Sequence, residues 1–164
     1  MNIALLLIAM VAVQRLVETL YAARNTRALM ARGGIETGSN HYPLIIALHA
    51  SWLVALILAL PADPEIHPVP LVLFFILQGL RVWVIATLGP YWTTRIITLP
   101  GAPLIRHGPY RYFRHPNYLI VAGEIATLPL VFGEIWVALI FSILNAAVLT
   151  WRIKIENRTL SERA

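Results

Sequence analysis

Five long apolar segments constrain this chain more than any other feature of its sequence. They run from about Ile3 to Ala23, Leu44 to Leu60, Val69 to Leu88, Tyr118 to Phe132 and Ile135 to Trp151. A helix that crosses a bilayer needs about 20 predominantly apolar residues, a length that the first and third segments reach. Only 13% of the residues are charged, against about a quarter in soluble domains. The sequence therefore predicts an all-α, polytopic integral membrane protein with about five transmembrane helices, the last two forming a short hairpin.

The length of 164 residues suits a single domain. We divide it into N-terminal transmembrane helices over residues 1–88 and a second part over 89–164, with a long polar loop, the helical hairpin and a tail. Gly33-Gly34, Pro61 and Gly133-Glu134 are the turn signals that end segments one, two and four.

The basic residues indicate how the chain is oriented. Eleven of the thirteen lie in the loop after segment one, in the long loop 89–117 and in the tail from Arg152 onward. The connectors after segments two and four contain none. Because Lys and Arg accumulate in cytoplasmic loops, we expect the N-terminus outside and the C-terminus in the cytoplasm, in a bacterial inner membrane. The pI of about 10.1 then reflects orientation, and no nucleic acid is expected as a partner.

The densest polar cluster is the stretch 108–118, which reads Gly-Pro-Tyr-Arg-Tyr-Phe-Arg-His-Pro-Asn-Tyr. Its prolines, Pro109 and Pro116, fix the backbone and remove donors, so it is not one smooth helix. The hairpin of segments four and five returns the tail to the same membrane face, where the tail and this cluster can share a pocket. We interpret the pocket as the functional site. The alternative is a basic amphipathic loop lying on anionic headgroups.

Ionisable residues inside apolar segments need partners or a function. Arg15 and Glu18 lie three residues apart on one helical face, which predicts a structural pair. Glu124 is either part of the substrate entrance or a partner of Arg81 or Gln78. The chain has no cysteine, and its histidines show no metal-ligand spacing, so no metal is expected.

Two motifs resemble the isoprenylcysteine carboxyl methyltransferase family. They are Gly108-Pro109-Tyr110 through Arg114-His115-Pro116-Asn117-Tyr118, and Arg152-x-x-x-Glu156-x-x-x-Leu160. Members of that family are membrane enzymes that use S-adenosyl-L-methionine. The N-terminal part is similar to a narrower bacterial branch, which is associated with type III polyketide synthases and O-methylates alkylpyrones or alkylresorcinols. The residues that carry this second similarity are Arg24-Asn25, Gly34-x-Glu36, His41-Tyr42-Pro43 and His49-x-x-Trp52.

The resemblance implies S-adenosyl-L-methionine as the cofactor. The predicted cofactor-binding residues are Ala102, Pro103, Leu104, Ile105, Tyr110, Arg114, His115, Pro116, Asn117, Tyr118 and Glu156. Among them, Glu156 would hold the positively charged amino-acid end of the cofactor. Arg152 is the predicted catalytic residue, facing the acceptor. Further predicted substrate-binding residues are Glu124, His49 and Trp52, with core packing as the alternative for the last two.

Two positions depart from the family pattern. Asn157 stands where a second acidic residue is frequent, and Arg95 stands near the place of a glutamine found in relatives. These departures argue against a prenylated protein as the substrate. His115 is either a general base or a structural residue.

Methyl transfer from a sulfonium needs alignment rather than a metal or a covalent nucleophile, and alignment supplies about 7–11 kcal/mol. We therefore expect an O-methyltransferase whose partners are membrane lipids and a lipophilic acceptor, such as an alkylpyrone, an alkylresorcinol or an isoprenoid carboxylate. One alternative is an NADPH-dependent reductase of the sterol-reductase-like type, which carries a similar Arg-His-Pro-Asn-Tyr block. In such reductases Gly-Glu follows the tyrosine soon, whereas here four residues precede Gly123-Glu124. A second alternative is a non-enzymatic module that binds anionic lipids.

Overall fold

The all-α, polytopic membrane architecture is confirmed by the computed structural model, which describes residues 3–161. Its α-helices are α1 (Ile3–Ala31), α2 (Tyr42–Ala59), α3 (Pro68–Leu88), α4 (Pro116–Val131) and α5 (Ile135–Ser161). In this part of the chain, four helices are long and apolar enough to cross a membrane. The shorter apolar helix is α4, with 16 residues.

The outer two helices are longer than their apolar segments. The sequence places the ends of segments one and five near Ala23 and Trp151, whereas α1 continues to Ala31 and α5 to Ser161. Arg, Lys and Glu are good helix formers, and no Gly or Pro interrupts either extension. Hydropathy thus marks where the bilayer ends, not where the helix ends. The predicted basic tail is mostly the last turns of α5, and Arg163 lies outside the described residues.

The turn between α4 and α5 is as tight as predicted. Gly133 adopts a left-handed φ of 76°, which a residue without a Cβ accepts at little cost. The amide of Glu134 donates to the carbonyl of Pro129 at 3.0 Å, which caps the end of α4. This hairpin brings the C-terminal half of α5 back alongside the start of α4.

A two-stranded antiparallel sheet, absent from the sequence prediction, joins two loops. Strand β1 (Ile35–Thr37) pairs with β2 (Ile96–Thr98) in the register Ile35↔Thr98. Beside it, Arg95 Nη1 lies 2.9 Å from Glu36 Oε1. Strands of three residues are too short for a readable alternation of apolar and polar residues. The sheet ties the loop after α1 to the long loop before α4.

An apolar core lies between the helices, and a charged cluster lies beside it. Trp52, Phe74 and Leu128 are fully buried in the core, while the outer helix faces expose many large apolar side chains, as a lipid environment requires.

The charged cluster joins α1, α3 and α4. Arg81 Nε donates to Glu124 Oε1 at 2.8 Å, and Gln78 Nε2 donates to the same oxygen at 2.8 Å. Arg15 contacts Glu18 Oε2 at 2.6 Å and Glu124 Oε2 at 3.0 Å. Two arginines therefore face two glutamates. The predicted Arg15–Glu18 pair is present, and Glu124 is a partner of both Arg81 and Gln78.

Candidate functional site

A cavity of about 1100 Å³ opens where the long loop meets the C-terminal half of α5. Its wall includes most of the predicted cofactor-binding residues. These are Ala102, Pro103, Leu104, Ile105, Tyr110, Arg114, His115, Asn117, Tyr118 and Glu156, together with the predicted catalytic residue Arg152. Pro116 instead is buried in the first turn of α4, where its missing N–H costs nothing. The structure thus brings the two motifs, 34 or more residues apart in sequence, onto one wall.

The long loop reaches the cavity through a close approach to α3. Gly108 has a left-handed φ of 57°, and a Cβ there would lie 2.7 Å from Thr87 Oγ1. Glycine is therefore required for both conformation and space. After it, Pro109 is buried, and Tyr110 packs against a buried cluster that includes Trp92 and Val84. This packing fixes the tyrosine on the cavity wall.

The centre of the site is a junction at the Tyr118 hydroxyl. Arg152 Nε donates to Tyr118 Oη at 2.7 Å, and that hydroxyl donates to Glu156 Oε2. Arg152 Nη2 donates to the backbone carbonyl of Thr94 at 2.7 Å. Among the described residues, Nη1 has no hydrogen-bond partner, so one edge of a rigidly oriented guanidinium remains available in the cavity wall.

His115 is held by the same carboxylate. Its ring stacks on Tyr118 with 5.4 Å between centroids, its Nε2 lies 3.0 Å from Asn157 Oδ1, and its Nδ1 lies 3.7 Å from Glu156 Oε1. Interaction with the Glu156 carboxylate raises the pKa of His115 above its ordinary value, outweighing its partial burial. The pairing with Glu156 therefore favours the protonated form of His115.

Tyr110 has the opposite electrostatic character. Burial raises the pKa of its phenol, and the nearby Glu156 carboxylate raises it further. The phenol therefore stays protonated and can donate a hydrogen bond into the cavity.

The wall also carries an excess of positive charge and one buried hydrogen-bond acceptor without a donor among the described residues. Among the described residues, Glu156 is the one carboxylate on the wall, against five arginines. The side-chain oxygen of Asn117 is buried and has no hydrogen-bond partner. Buried polar atoms are nearly always paired, so Asn117 Oδ1 is an acceptor that a water molecule or a bound ligand could satisfy.

Three predicted substrate-binding residues lie away from this wall. Glu124 belongs to the charged cluster, six residues and therefore about 9 Å along α4 from Tyr118. The Nδ1 atom of His49 lies 2.8 Å from the carbonyl oxygen of Ile45, and its ring is within electrostatic range of the charged cluster. Trp52 is 1% exposed and packs in the core, and its indole N–H has no hydrogen-bond partner within the described part of the chain. Their role toward a substrate stays a prediction.

The sequence prediction missed two positioning groups. The Thr94 carbonyl that orients Arg152 is a backbone atom, for which no side-chain pattern gives a signal. Asn25 is buried on α1 and donates to the carbonyls of Gly89 and Trp92 at 3.1 and 2.8 Å. Asn25 is part of the N-terminal similarity, but no positioning role was predicted for it, because its partners lie 64 and 67 residues away in sequence.

Comparison with known proteins adds the family. The model of the isoprenylcysteine carboxyl methyltransferase family matches residues 70–162, which include both cavity motifs. The chain belongs to this family. The resemblance read from the sequence is thereby confirmed. This membership identifies the chain as a membrane methyltransferase. Members of the family use S-adenosyl-L-methionine as the methyl donor.

Two relatives extend the similarity beyond the matched region. The chain is 37% identical over 161 residues to the uncharacterized protein YpbQ of Bacillus subtilis (strain 168), covering 96% of each chain. It is 27% identical over 143 residues to an uncharacterized protein of Haemophilus influenzae, covering 84% of this chain and 83% of the relative. No solved structure matches the chain significantly.

Proposed function

We propose that this protein is an S-adenosyl-L-methionine-dependent O-methyltransferase that acts on a lipophilic, acidic acceptor. The observation that carries the proposal is the junction at Tyr118, which holds Arg152 and Glu156 in one cavity wall. A methyltransferase must bind a donor with separated charges beside an acceptor. The junction sets a carboxylate and a guanidinium side by side with fixed orientations.

The residues present fit the methyl donor. Glu156 would hold its ammonium group, and Arg114 on the same wall offers a positive charge for its carboxylate. Asn117 Oδ1, buried and unpaired, offers an acceptor for one of its donors. The turn at Pro100–Pro103 is closed by the amide of Ala102, which donates to the Leu99 carbonyl at 3.1 Å, and Ala102 and Pro103 line the cavity.

When bound, the donor supplies an activated methyl group on a sulfonium. The chain supplies position and charge. Arg152, held by Tyr118 and the Thr94 carbonyl, would direct its free Nη1 at the acceptor oxygen and stabilise negative charge there. Since no reorganisation of the guanidinium is needed, its electrostatic effect is available at the moment of transfer.

The acceptor is expected to arrive as an anion. The Glu156 carboxylate pairs with His115 and raises its pKa, which favours the protonated imidazole, and in that form His115 cannot take a proton from the acceptor. Five arginines on the wall favour a negatively charged group, while Leu29, Leu88 and Leu99 supply apolar wall. A hydroxypyrone or a carboxylate with a long apolar chain satisfies both conditions. We rank an alkylpyrone first, followed by an alkylresorcinol and an isoprenoid carboxylate.

The proposed orientation places the cavity in the cytoplasm. The cavity lies at the membrane face where α1, α5 and the long loop carry their arginines, which is the cytoplasmic face by the positive-inside rule. A cysteine introduced at Arg158 should react with a membrane-impermeant maleimide only in inverted vesicles, while one at Glu134 should react only in intact cells.

Calorimetric titration of the purified protein in nanodiscs tests the function. S-adenosylhomocysteine should bind and NADPH should not. An alkylpyrone should then accept a radiolabelled methyl group, and Arg152→Ala should reduce this turnover more than the affinity for S-adenosylhomocysteine. Binding of NADPH alone would overturn the proposal in favour of a reductase.

A further inference from the structure

Part of the cavity wall is also an outward-facing apolar surface. We define the rim loop as residues 104–114. Tyr112 and Phe113 expose 69% and 54% of their surface, and Leu104 exposes 47%. Aromatic side chains with one apolar and one wet side collect at the headgroup level of membranes. Their exposure in the rim loop is therefore informative only if the loop lies at that depth.

The contacts of the rim loop place it at that depth. Gly108 approaches Thr87 so closely that a Cβ would lie 2.7 Å from its Oγ1, and Thr87 is one residue from the end of α3. On the other side, α4 begins at Pro116, two residues after the loop ends. Both anchors are ends of apolar helices. The exposed rings are thus held at the membrane boundary and not in free solvent.

Three arginines lie in the same loop as these rings, and two of them flank the rings directly. Arg106, Arg111 and Arg114 are all exposed, and none forms an ion pair with an acidic side chain in the described part of the chain. Arg95, which lies on the same wall, is by contrast neutralised by Glu36 at 2.9 Å. The rim loop therefore presents three uncompensated positive charges among apolar side chains.

We propose that the rim loop docks on the anionic phospholipids of its own leaflet. The arginines bind phosphate groups, and Tyr112 and Phe113 insert at the boundary between headgroups and acyl chains. Charge complementarity selects this occupant, because a zwitterionic leaflet offers no net charge to match. Docking itself does not depend on the proposed function. Its consequence does: since all three arginines also line the cavity, anionic lipid should order the wall and strengthen cofactor binding.

Because the chain contains no cysteine, a single label can report the docking. Phe113→Cys carrying an environment-sensitive fluorophore is reconstituted in nanodiscs with a constant fraction of brominated phosphatidylcholine. Quenching should increase as phosphatidylglycerol replaces the remaining phosphatidylcholine, and salt should reverse the increase. The label on Leu58→Cys, at an 80% exposed position of α2, should be quenched equally in all mixtures. Quenching at residue 113 that ignores phosphatidylglycerol overturns the proposal.

Charge variants separate this surface from the general basicity of the membrane face. The double substitution Arg106→Gln and Arg111→Gln removes two positive charges. It should weaken the apparent affinity of the rim loop for phosphatidylglycerol, read from the quenching, by about an order of magnitude. The matched control is Arg24→Gln with Arg27→Gln, which removes equal charge from exposed positions on α1. If both pairs reduce the dependence equally, the rim loop is not the docking surface.

Cofactor affinity in the same nanodiscs distinguishes the two proposals. If docking orders the wall, the Kd for S-adenosylhomocysteine should fall several-fold with phosphatidylglycerol, and the Arg106/Arg111 variant should lose this gain. If the label responds to phosphatidylglycerol but S-adenosylhomocysteine does not bind in any mixture, the proposed function fails and the docking stands. If S-adenosylhomocysteine binds but the label does not respond, the docking fails alone.

Discussion

The substitution Glu156→Gln separates charge from shape at the centre of the site. Glutamine has the size of glutamate, and its side-chain oxygen can still accept the hydrogen bond from Tyr118. What it cannot do is neutralise the ammonium of the methyl donor. No other carboxylate among the described residues lines the cavity wall to replace it.

The expected size follows from burial. A hydrogen bond to a charged group contributes about 1.5–3 kcal/mol net. The Glu156 side chain is 25% exposed, so solvent screening places the loss toward the lower end of that range. At about 1.4 kcal/mol for each tenfold change, the Kd for S-adenosylhomocysteine should weaken about 10- to 30-fold.

Calorimetric titration measures this loss of affinity. The control is Glu134→Gln, which makes the same chemical change in the α4–α5 turn, at the end of the hairpin far from the cavity. A second signature is pH. If Glu156 binds the ligand as proposed, protonated His115 competes for the same carboxylate, so affinity should increase as pH rises through the raised pKa of His115. In Glu156→Gln this dependence should be lost. Equal affinities of the variant and the wild type would remove Glu156 from the cofactor site.

Three further outcomes are expected. Because Glu156 raises the pKa of His115, the protonated imidazole stabilises the fold fully below its ordinary pKa of about 6.5, and this contribution is lost as pH rises through the raised value. Thermal unfolding should show this decline in the wild type and not in His115→Gln. Asn25→Ala leaves the buried carbonyl of Trp92 unpaired, while the Gly89 carbonyl keeps the Trp92 amide, so denaturation should detect a loss of about 1–3 kcal/mol. Asn25→Asp has the same size but no side-chain N–H donor, and it should not recover that loss. Arg81→Leu should destabilise by about 3 kcal/mol, the lower end of the range for breaking a buried ion pair, because Glu124 loses Arg81 but keeps Arg15 and Gln78 as partners. Adding Glu124→Leu should recover part of the loss in a double-mutant cycle.

Hydropathy and local motifs were sufficient to predict the helices and most of the cavity wall. Five apolar runs became five helices, and the tyrosine-rich cluster met the end of α5 as the hairpin topology required. Helix ends were harder to predict, because Lys, Arg and Glu are good helix formers that let α1 and α5 continue beyond the apolar segment. The β1–β2 pair was missed because pairing between Ile35 and Thr98 is a long-range contact of short strands. The Thr94 carbonyl could not have been predicted, since every residue carries the same group.

The region matched by the family model begins at residue 70 and so excludes α1 and α2. The structure nevertheless makes the N-terminal part of the chain contribute to the site, because polar residues of α1, β1 and α2 converge on residues 89–95. Asn25 holds the carbonyls at the start of this segment, Tyr42 Oη lies 3.0 Å from Thr94 Oγ1, and Glu36 pairs with Arg95.

These three residues belong to the N-terminal motifs that resemble the small bacterial branch. The structure gives that pattern a physical meaning, because the segment they hold carries the carbonyl that orients Arg152. The matched region would then supply the methyl-donor site, and the N-terminal half would set how the guanidinium meets the acceptor. Exchange of residues 1–69 between two members of the family should therefore change acceptor preference while leaving the Kd for S-adenosylhomocysteine within a few-fold. A chimera that changes the Kd strongly and keeps its acceptor would contradict this division of roles.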